Sequence, residues 1–308
     1  MLMTTGATGY LGSALVDLLV GSGYDVRAVV RDRARATALL PPDVDLVVAD
    51  LADPDGLRRA ARGCDAVLHL AGSVGGTPED IRRANVDGTR AVLAAVLDAG
   101  VPRFVHTGTS AAVMDASGLV AECPSGPPAL TDPYSTAKAE AEDVVLAAAA
   151  DGLDVRIVSP VSIYGPSPLG PYSYNALLIG AARGEVPEVV DATVGWVLAD
   201  DVAAGLVLVL ERGESGQRYV LCGEAAPYSR MLHDFADLTA DLTGGKHVRT
   251  LPPGSTLGPD AGTFARRSEV YGGFPPVHVD DARARALGFD PAGIDEGLAR
   301  TAAWLRTL

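Results

Sequence analysis

The stretch Thr5-Gly6-Ala7-Thr8-Gly9-Tyr10-Leu11-Gly12 follows a short β-rich run, Leu2–Thr5, and leads directly into leucines at helical spacing, Leu11, Leu15, Leu18 and Leu19. Glycines three residues apart let backbone approach a pyrophosphate closely, and the helix that follows offers free N–H groups and its positive dipole end. Alone, such a triplet says little, because glycine supplies 35 of the 308 residues. Its place between the first strand and the first helix of an alternating chain predicts dinucleotide binding. Contacts are expected from Gly6, Thr8, Gly9, Tyr10, Leu11 and Gly12.

Outward from the loop, the pattern repeats. Strands are expected at Leu2–Thr5, Val26–Val30, Leu46–Val48, Ala66–Leu70, Phe104–Thr107 and Val155–Val158, with a helix over Val86–Ala99 that stops at Gly100. Alternating β and α segments predict an α/β fold with a doubly wound parallel sheet of the Rossmann type. After Pro160 the rhythm breaks into a Gly/Pro/Tyr-rich segment, Gly165–Tyr174, which reads as a substrate-side insertion. Further helices are expected near Ala176–Arg183, Asp201–Glu211, Tyr228–Thr243 and Ile294–Leu305, and a strand at Tyr219–Cys222.

Composition narrows the partners. With 48% hydrophobic residues the chain can bury a substantial core. Its 25 basic and 39 acidic residues leave a net charge of −14, a field that repels nucleic acid and anionic membranes. A small-molecule partner is expected, and no nucleic acid or membrane. Cys64, Cys123 and Cys222 are far apart, with no metal-ligand spacing, so neither a metal nor a disulfide scaffold is expected. Only five residues precede Gly6 and no apolar run reaches the ~18 residues of a membrane span, which predicts a cytoplasmic protein.

Two further positions speak to chemistry. An acidic residue ~20 positions beyond the glycines usually holds the adenosine ribose of NAD, whereas an arginine there can pair with a 2′-phosphate. Arg31 stands 19 residues after Gly12, with Arg33 and Arg35 close by, so NADP(H) is expected as the preferred cofactor and NAD(H) remains possible with Asp32 on the ribose. Tyr134 and Lys138 lie four residues apart on a helix expected over Pro133–Asp151, so both project from one face. A nearby ammonium favours the phenolate of a tyrosine that is otherwise a poor acid-base group at neutral pH. With two lysines and nine tyrosines in the chain, chance gives roughly 0.06 such pairs. A hydroxyl to orient the substrate oxygen is expected from Thr107-Gly108-Thr109-Ser110, with Thr109 ahead of Ser110, at the strand end where parallel sheets place ligands. Ser110, Tyr172, Tyr174 and Trp196 are expected to line the substrate pocket.

These features, with Val67-Leu68-His69-Leu70-Ala71-Gly72, Asn85-Val86-Asp87-Gly88-Thr89, Ser159-Pro160-Val161-Ser162-Ile163-Tyr164-Gly165-Pro166 and Asp200-Asp201-Val202, together resemble the extended short-chain dehydrogenase/reductase family, the NAD(P)-dependent epimerases and dehydratases. The resemblance covers almost the whole chain. It implies a sheet of about seven strands and a small C-terminal substrate lobe, with residues 1–160 and about 197–222 in the dinucleotide domain and about 161–196 and 223–308 in the lobe. It further implies Asp50-Leu51 at the adenine, and Leu70, Ala71, Gly72, Pro160 and Val161 beside the cofactor. Thr109, Tyr134 and Lys138 match the family's catalytic hydroxyl, acid-base tyrosine and ribose-binding lysine.

Departures from the family pattern bear on the substrate. Where relatives that act on nucleotide sugars carry an Asn and an Arg for the diphosphate, this chain has Ser162 and, near Val194, no arginine; Leu198 and Ser159 replace a common His and Arg. A diphosphate without cationic partners is poorly held. This looks more like the dihydroflavonol-reductase-like branch, which reduces ketones or aldehydes of small organic molecules. The expected activity is therefore carbonyl reduction. The alternatives are epimerisation or dehydration of a sugar or sugar nucleotide, and a non-catalytic dinucleotide sensor. Monomer and homodimer are both compatible with the sequence.

Overall fold

Gly6 ends the first strand by taking φ +76°, a left-handed conformation that a side chain would strain. In this computed structural model, which describes residues 1–124 and 126–308, the chain opens β1 (Leu2–Thr5), α1 (Tyr10–Gly21), β2 (Val26–Val30), α2 (Arg33–Leu39) and β3 (Asp45–Val48). There follow α3 (Pro54–Ala61), β4 (Ala66–His69), α4 (Pro78–Arg82), a π-helical turn Arg83–Asp87, α5 (Gly88–Ala99) and β5 (Arg103–Thr107). Next come β6 (Leu119–Ala121), α6 (Pro133–Ala150), β7 (Asp154–Pro160), β8 (Ser162–Tyr164), α7 (Tyr174–Arg183) and β9 (Glu188–Val190). The chain continues with β10 (Thr193–Leu198), α8 (Ala199–Arg212), β11 (Arg218–Leu221), β12 (Glu224–Pro227), α9 (Tyr228–Leu238) and α10 (Ala240–Thr243). It ends with β13 (Arg249–Leu251), α11 (Thr263–Gly272), β14 (His278–Asp280), α12 (Ala282–Ala286) and α13 (Ile294–Leu305).

Seven strands form one all-parallel sheet in the order β11-β7-β5-β4-β1-β2-β3. Strand order reverses between β1 and β4, and a crevice outside their carboxyl ends is where such sheets bind ligands. Alternate side chains feed two cores. Leu2, Leu68 and Val105 face the one shared with α1 and α8, while Met3, Val67 and Phe104 face the one shared with α3 and α5. Small satellite sheets, β12-β10-β8, β13-β9 and β14-β6, build the substrate side. The β6 strand, inside residues 1–160, pairs with the C-terminal β14, so the expected division of the chain is crossed there.

Two expected helices differ. The one expected over Val86–Ala99 is entered eight residues earlier at Pro78, under a Thr77/Asp80 capping box, and passes through the π-helical turn before α5. That turn admits one extra residue per turn. It holds Asn85, whose Nδ2 donates to the carbonyls of Ser73 and Ile81, both at 2.8 Å. The helix expected over Tyr228–Thr243 breaks at Thr239, where the backbone leaves helical geometry (φ −118°, ψ 18°) and α10 begins. Among the described residues no helix is long and apolar enough to cross a membrane.

Candidate active site

A cleft of about 860 Å³ opens at the carboxyl ends of β1, β4 and β5 and extends to α7 and α11. Its floor is the glycine loop. A Cβ on Gly6 would lie 2.7 Å from the Ala71 nitrogen, and one on Gly12 only 2.0 Å from the Gly6 carbonyl oxygen, so only glycine lets α1 start this close to the strands. Gly9 caps α1 without a side-chain hydrogen bond, and the first turn carries no acidic residue. The N–H groups of that turn are left to a ligand, which is how a helix end holds a pyrophosphate. Further along, the Asn85 Oδ1 is buried with no hydrogen-bond partner among the described residues and lies 2.5 Å from where a Cβ on Gly72 would be. The cradle and the orphaned acceptor fit a dinucleotide. The residues that would hold it are Gly6, Gly9, Leu11 and Gly12, with Leu70, Gly72, Pro160 and Val161, all of which line the cleft.

Tyr10 also lines the cleft, but its hydroxyl is committed elsewhere. It donates to the Gly165 carbonyl at 2.8 Å and receives the Asn175 Nδ2 at 3.2 Å, tying the loop to the substrate-side segment. Thr8, Arg31, Asp50, Leu51 and Ala71 lie outside the cleft lining. Arg31 is exposed just past β2, and Asp50 is exposed with its carboxylate accepting from the Ala52 N–H at 2.9 Å. Leu51 packs on Gly88, and Ala71 meets the glycine loop through backbone. Asp32, the alternative ribose ligand, instead caps α2 by accepting from the Arg35 N–H at 3.1 Å.

The helix that carries the tyrosine begins at Asp132, whose carboxylate accepts from the Ser135 N–H at 3.2 Å, with Pro133 in the first turn. Tyr134 and Lys138 share the face turned to the cleft, as the four-residue spacing predicts. Lys138 donates from Nζ to the Thr107 carbonyl at 2.6 Å, and burial pulls its ammonium down to about 8, with Glu142 opposing. Burial pushes the Tyr134 phenol up to about 12; a hydrogen bond from Thr109 and the charge of Arg267 work against it. Thr109 and Ser110 both line the cleft, Thr109 half-buried and Ser110 buried. Gly108 is required between them and the sheet, because a Cβ there would sit 2.0 Å from Glu142 Oε1. That carboxylate, itself almost fully buried, pairs with the largely buried Arg218 at 2.6 Å.

Tyr172 and Tyr174 line the cleft beside α7, and Trp196 lies outside the lining. Its indole is 1% exposed, donates to the Ala226 carbonyl at 3.1 Å and meets Tyr174 edge-on at 5.1 Å. It buttresses the pocket wall from behind, because β10 is buried along almost its whole length. The opposite wall is α11, which contributes Phe264, Arg266, Arg267, Val270 and Tyr271. None of these was singled out from the sequence. Phe264, Arg267 and Tyr271 do recur at helical spacing after Gly262, a signal hidden by flanking glycines and prolines.

The sequence model of the NAD dependent epimerase/dehydratase family matches residues 2–222. A protein of Synechocystis sp. that carries the name dihydroflavonol 4-reductase is 34% identical over 245 residues, covering 76% of this chain and 71% of the relative. A 4-hydroxy-2-methyl-3-oxo-4-farnesyl-3,4-dihydroquinoline-1-oxide ketoreductase of Stigmatella aurantiaca is 34% identical over 251 residues, covering 79% of this chain and 73% of the relative. Among solved structures, MoeE5 in complex with UDP-glucuronic acid and NAD superposes with a TM-score of 0.78 at 28% identity, covering 99% of both chains. The chain therefore belongs to the NAD dependent epimerase/dehydratase family, as an NAD(P)-dependent enzyme of the extended short-chain dehydrogenase/reductase type.

Proposed function

We propose that this enzyme is an NADP(H)-dependent carbonyl reductase acting on a partly apolar small molecule. The observation that carries the reading is the substrate end of the cleft, where Tyr172, Tyr174, Phe264, Val270 and Tyr271 gather around Tyr134 and Thr109. The two arginines of that wall are already paired, Arg266 with Glu269 at 2.7 Å and Arg267 with Asp132 at 3.0 Å. Such a wall encloses an aromatic or aliphatic body and supplies no unpaired cation for a diphosphate. The name of the Stigmatella relative, a ketoreductase, agrees with it.

When bound, the nicotinamide supplies the hydride. Tyr134 gives its phenolic proton to the substrate oxygen, and the Thr109 hydroxyl, turning its one proton from the phenol to the substrate, donates a second hydrogen bond that fixes that oxygen. Lys138 holds the ribose and favours the phenolate left behind. Cofactor choice rests on Arg31 at the exposed end of β2, since Asp32 is engaged as a cap and Arg33 donates to the Leu46 carbonyl at 2.8 Å. Arg31→Asp is expected to turn preference toward NAD(H), because a carboxylate accepts ribose hydroxyls and repels a 2′-phosphate. Equal affinity of the unaltered enzyme for NADH and NADPH would refute the assignment.

Epimerisation or dehydration of a nucleotide sugar is the second reading, favoured by the likeness to MoeE5 with its UDP-sugar. Incubation with NADPH and a panel of aryl ketones and aldehydes separates the two. Loss of NADPH absorbance is expected with members of the panel; turnover of UDP-glucose with no net NADPH loss, and none on the panel, would establish the second reading instead.

A further inference from the structure

Arg267 enters the site from the substrate lobe on α11. Its guanidinium carbon lies 6.0 Å from the centroid of the Tyr134 ring and 5.1 Å from that of Tyr271. Its Nη1 is 3.0 Å from Asp132 Oδ2, and both side chains are largely withdrawn from solvent. Asp132 is the cap of α6, two residues before Tyr134, and also accepts from the Ser135 hydroxyl at 2.6 Å. One cation therefore grips the start of the helix that carries the phenol and covers the ring of that phenol. Lys138, by contrast, directs its ammonium to the Thr107 carbonyl.

We propose that Arg267 is a positioning residue for Tyr134: it joins α11 to the start of α6 through Asp132 and sets a permanent positive charge beside the phenol. The inference rests on the reading of Tyr134 as the proton donor. A guanidinium cannot lose its charge in a protein, so this cation persists at every working pH. An opposite charge this close favours the phenolate, against the upward push of burial. The stacked guanidinium also limits where the ring can sit. A buried ion pair contributes little net stability compared with an apolar replacement of similar volume, so stability alone does not account for a charge here.

The other groups facing Tyr134 leave Arg267 this part. Tyr174 from α7 and Tyr271 from α11 oppose ionisation, and Thr109 favours it through a hydrogen bond. Arg266, also on α11, is tied to Glu269. From α4 the ring meets Ile81, while Arg82 and Arg83 pair with Glu140 and Asp80. On its own helix stand Asp132, bound to Arg267, and Lys138.

The test is a titration of Tyr134 itself. Wild type, Arg267→Met, Arg267→Lys and the paired Arg267→Met/Asp132→Asn protein, each loaded with NADP⁺, are followed by near-ultraviolet phenolate absorbance. Each spectrum is taken as the difference from the same protein carrying Tyr134→Phe. The midpoint is expected to move alkaline by about one pH unit or more in both Met-bearing proteins and to move in the same direction but less in Arg267→Lys, whose ammonium keeps its charge only up to about pH 10. Asn caps a helix about as well as Asp, so the paired variant preserves α6 where the single one fails to fold. An unmoved midpoint in the Met-bearing proteins overturns the proposal, as does the lack of a Tyr134 step in wild type. Wild-type hydride transfer in Tyr134→Phe alone would instead sink the reading of Tyr134 on which this one rests.

Discussion

On the proposed reading Tyr134 and Lys138 divide their labour in a way that single substitutions can separate. Tyr134→Phe keeps the ring and its packing and removes only the transferable proton. Turnover is expected to fall by about two to four orders of magnitude while cofactor affinity stays nearly unchanged, the pattern for a lost general acid-base. Lys138→Met removes the ammonium and with it the proposed ribose contact, and leaves the Thr107 carbonyl without its 2.6 Å donor. Cofactor affinity and turnover should then fall together, with the pH optimum displaced to the alkaline side because the phenolate loses a cation. Single-turnover hydride transfer and cofactor titration on the two proteins decide between these patterns. Thr109→Ala should cost less than Tyr134→Phe, since it withdraws one hydrogen bond and no proton.

Element by element, the glycines of the cradle and those of ordinary turns separate on what a methyl group would meet. Gly12→Ala drives a carbon to 2.0 Å from the Gly6 carbonyl oxygen, whereas Gly21→Ala, at the other end of the same helix, meets nothing within 4 Å. The first is expected to cost about 1–3 kcal/mol of stability through overpacking and to abolish cofactor binding. The second should be neutral or stabilising by up to about 1 kcal/mol, because alanine restricts the unfolded chain. Thermal melts with and without NADPH would show both. The same contrast explains what could be read from the chain. Strands β1, β2, β4 and β5 were legible because each is a short run of apolar and β-branched residues set between helical patterns, and the α1 and α6 faces because their key residues repeat at helical spacing. The π-helical turn was not, since a one-residue insertion leaves the apolar pattern on either side intact. Trp196 was misplaced and α11 went unmarked for a shared reason: local pattern marks a residue as near the wall, but which side of the wall it occupies depends on β10 being covered by α8, α11 and α13.

At the scale of the whole molecule, the central sheet carries a polar seam through its apolar interior. His69 and His106 face each other in register on β4 and β5, with ring centroids 5.6 Å apart. His69 is held between the hydroxyls of Thr5 at 2.7 Å and Thr89 at 3.0 Å, while neither His106 nitrogen has a partner among the described residues. Burial, and after it the charge of Lys138, pulls His69 down to about 3 and His106 well below its ordinary value of 6.5. Both are therefore neutral in the fold at pH 7 and take up protons once the chain unfolds. Because their folded pKa values are depressed, the stability they permit is complete above the unfolded pKa near 6.5 and is lost as pH falls toward the folded values. Two such groups give a slope of up to about 2.7 kcal/mol per pH unit between roughly pH 6 and pH 4. His106→Phe, which fills the site beside Phe104 with a ring that cannot be protonated, should halve the histidine contribution to that slope. At pH 8 the exchange removes two unpaired buried nitrogens but adds volume, so stability there should stay within about 3 kcal/mol of wild type. Urea unfolding from pH 4.5 to 8 measures both quantities. Parallel stability curves for the two proteins over that range would mean that His106 does not take up its proton on unfolding and that the acid lability arises elsewhere in the molecule.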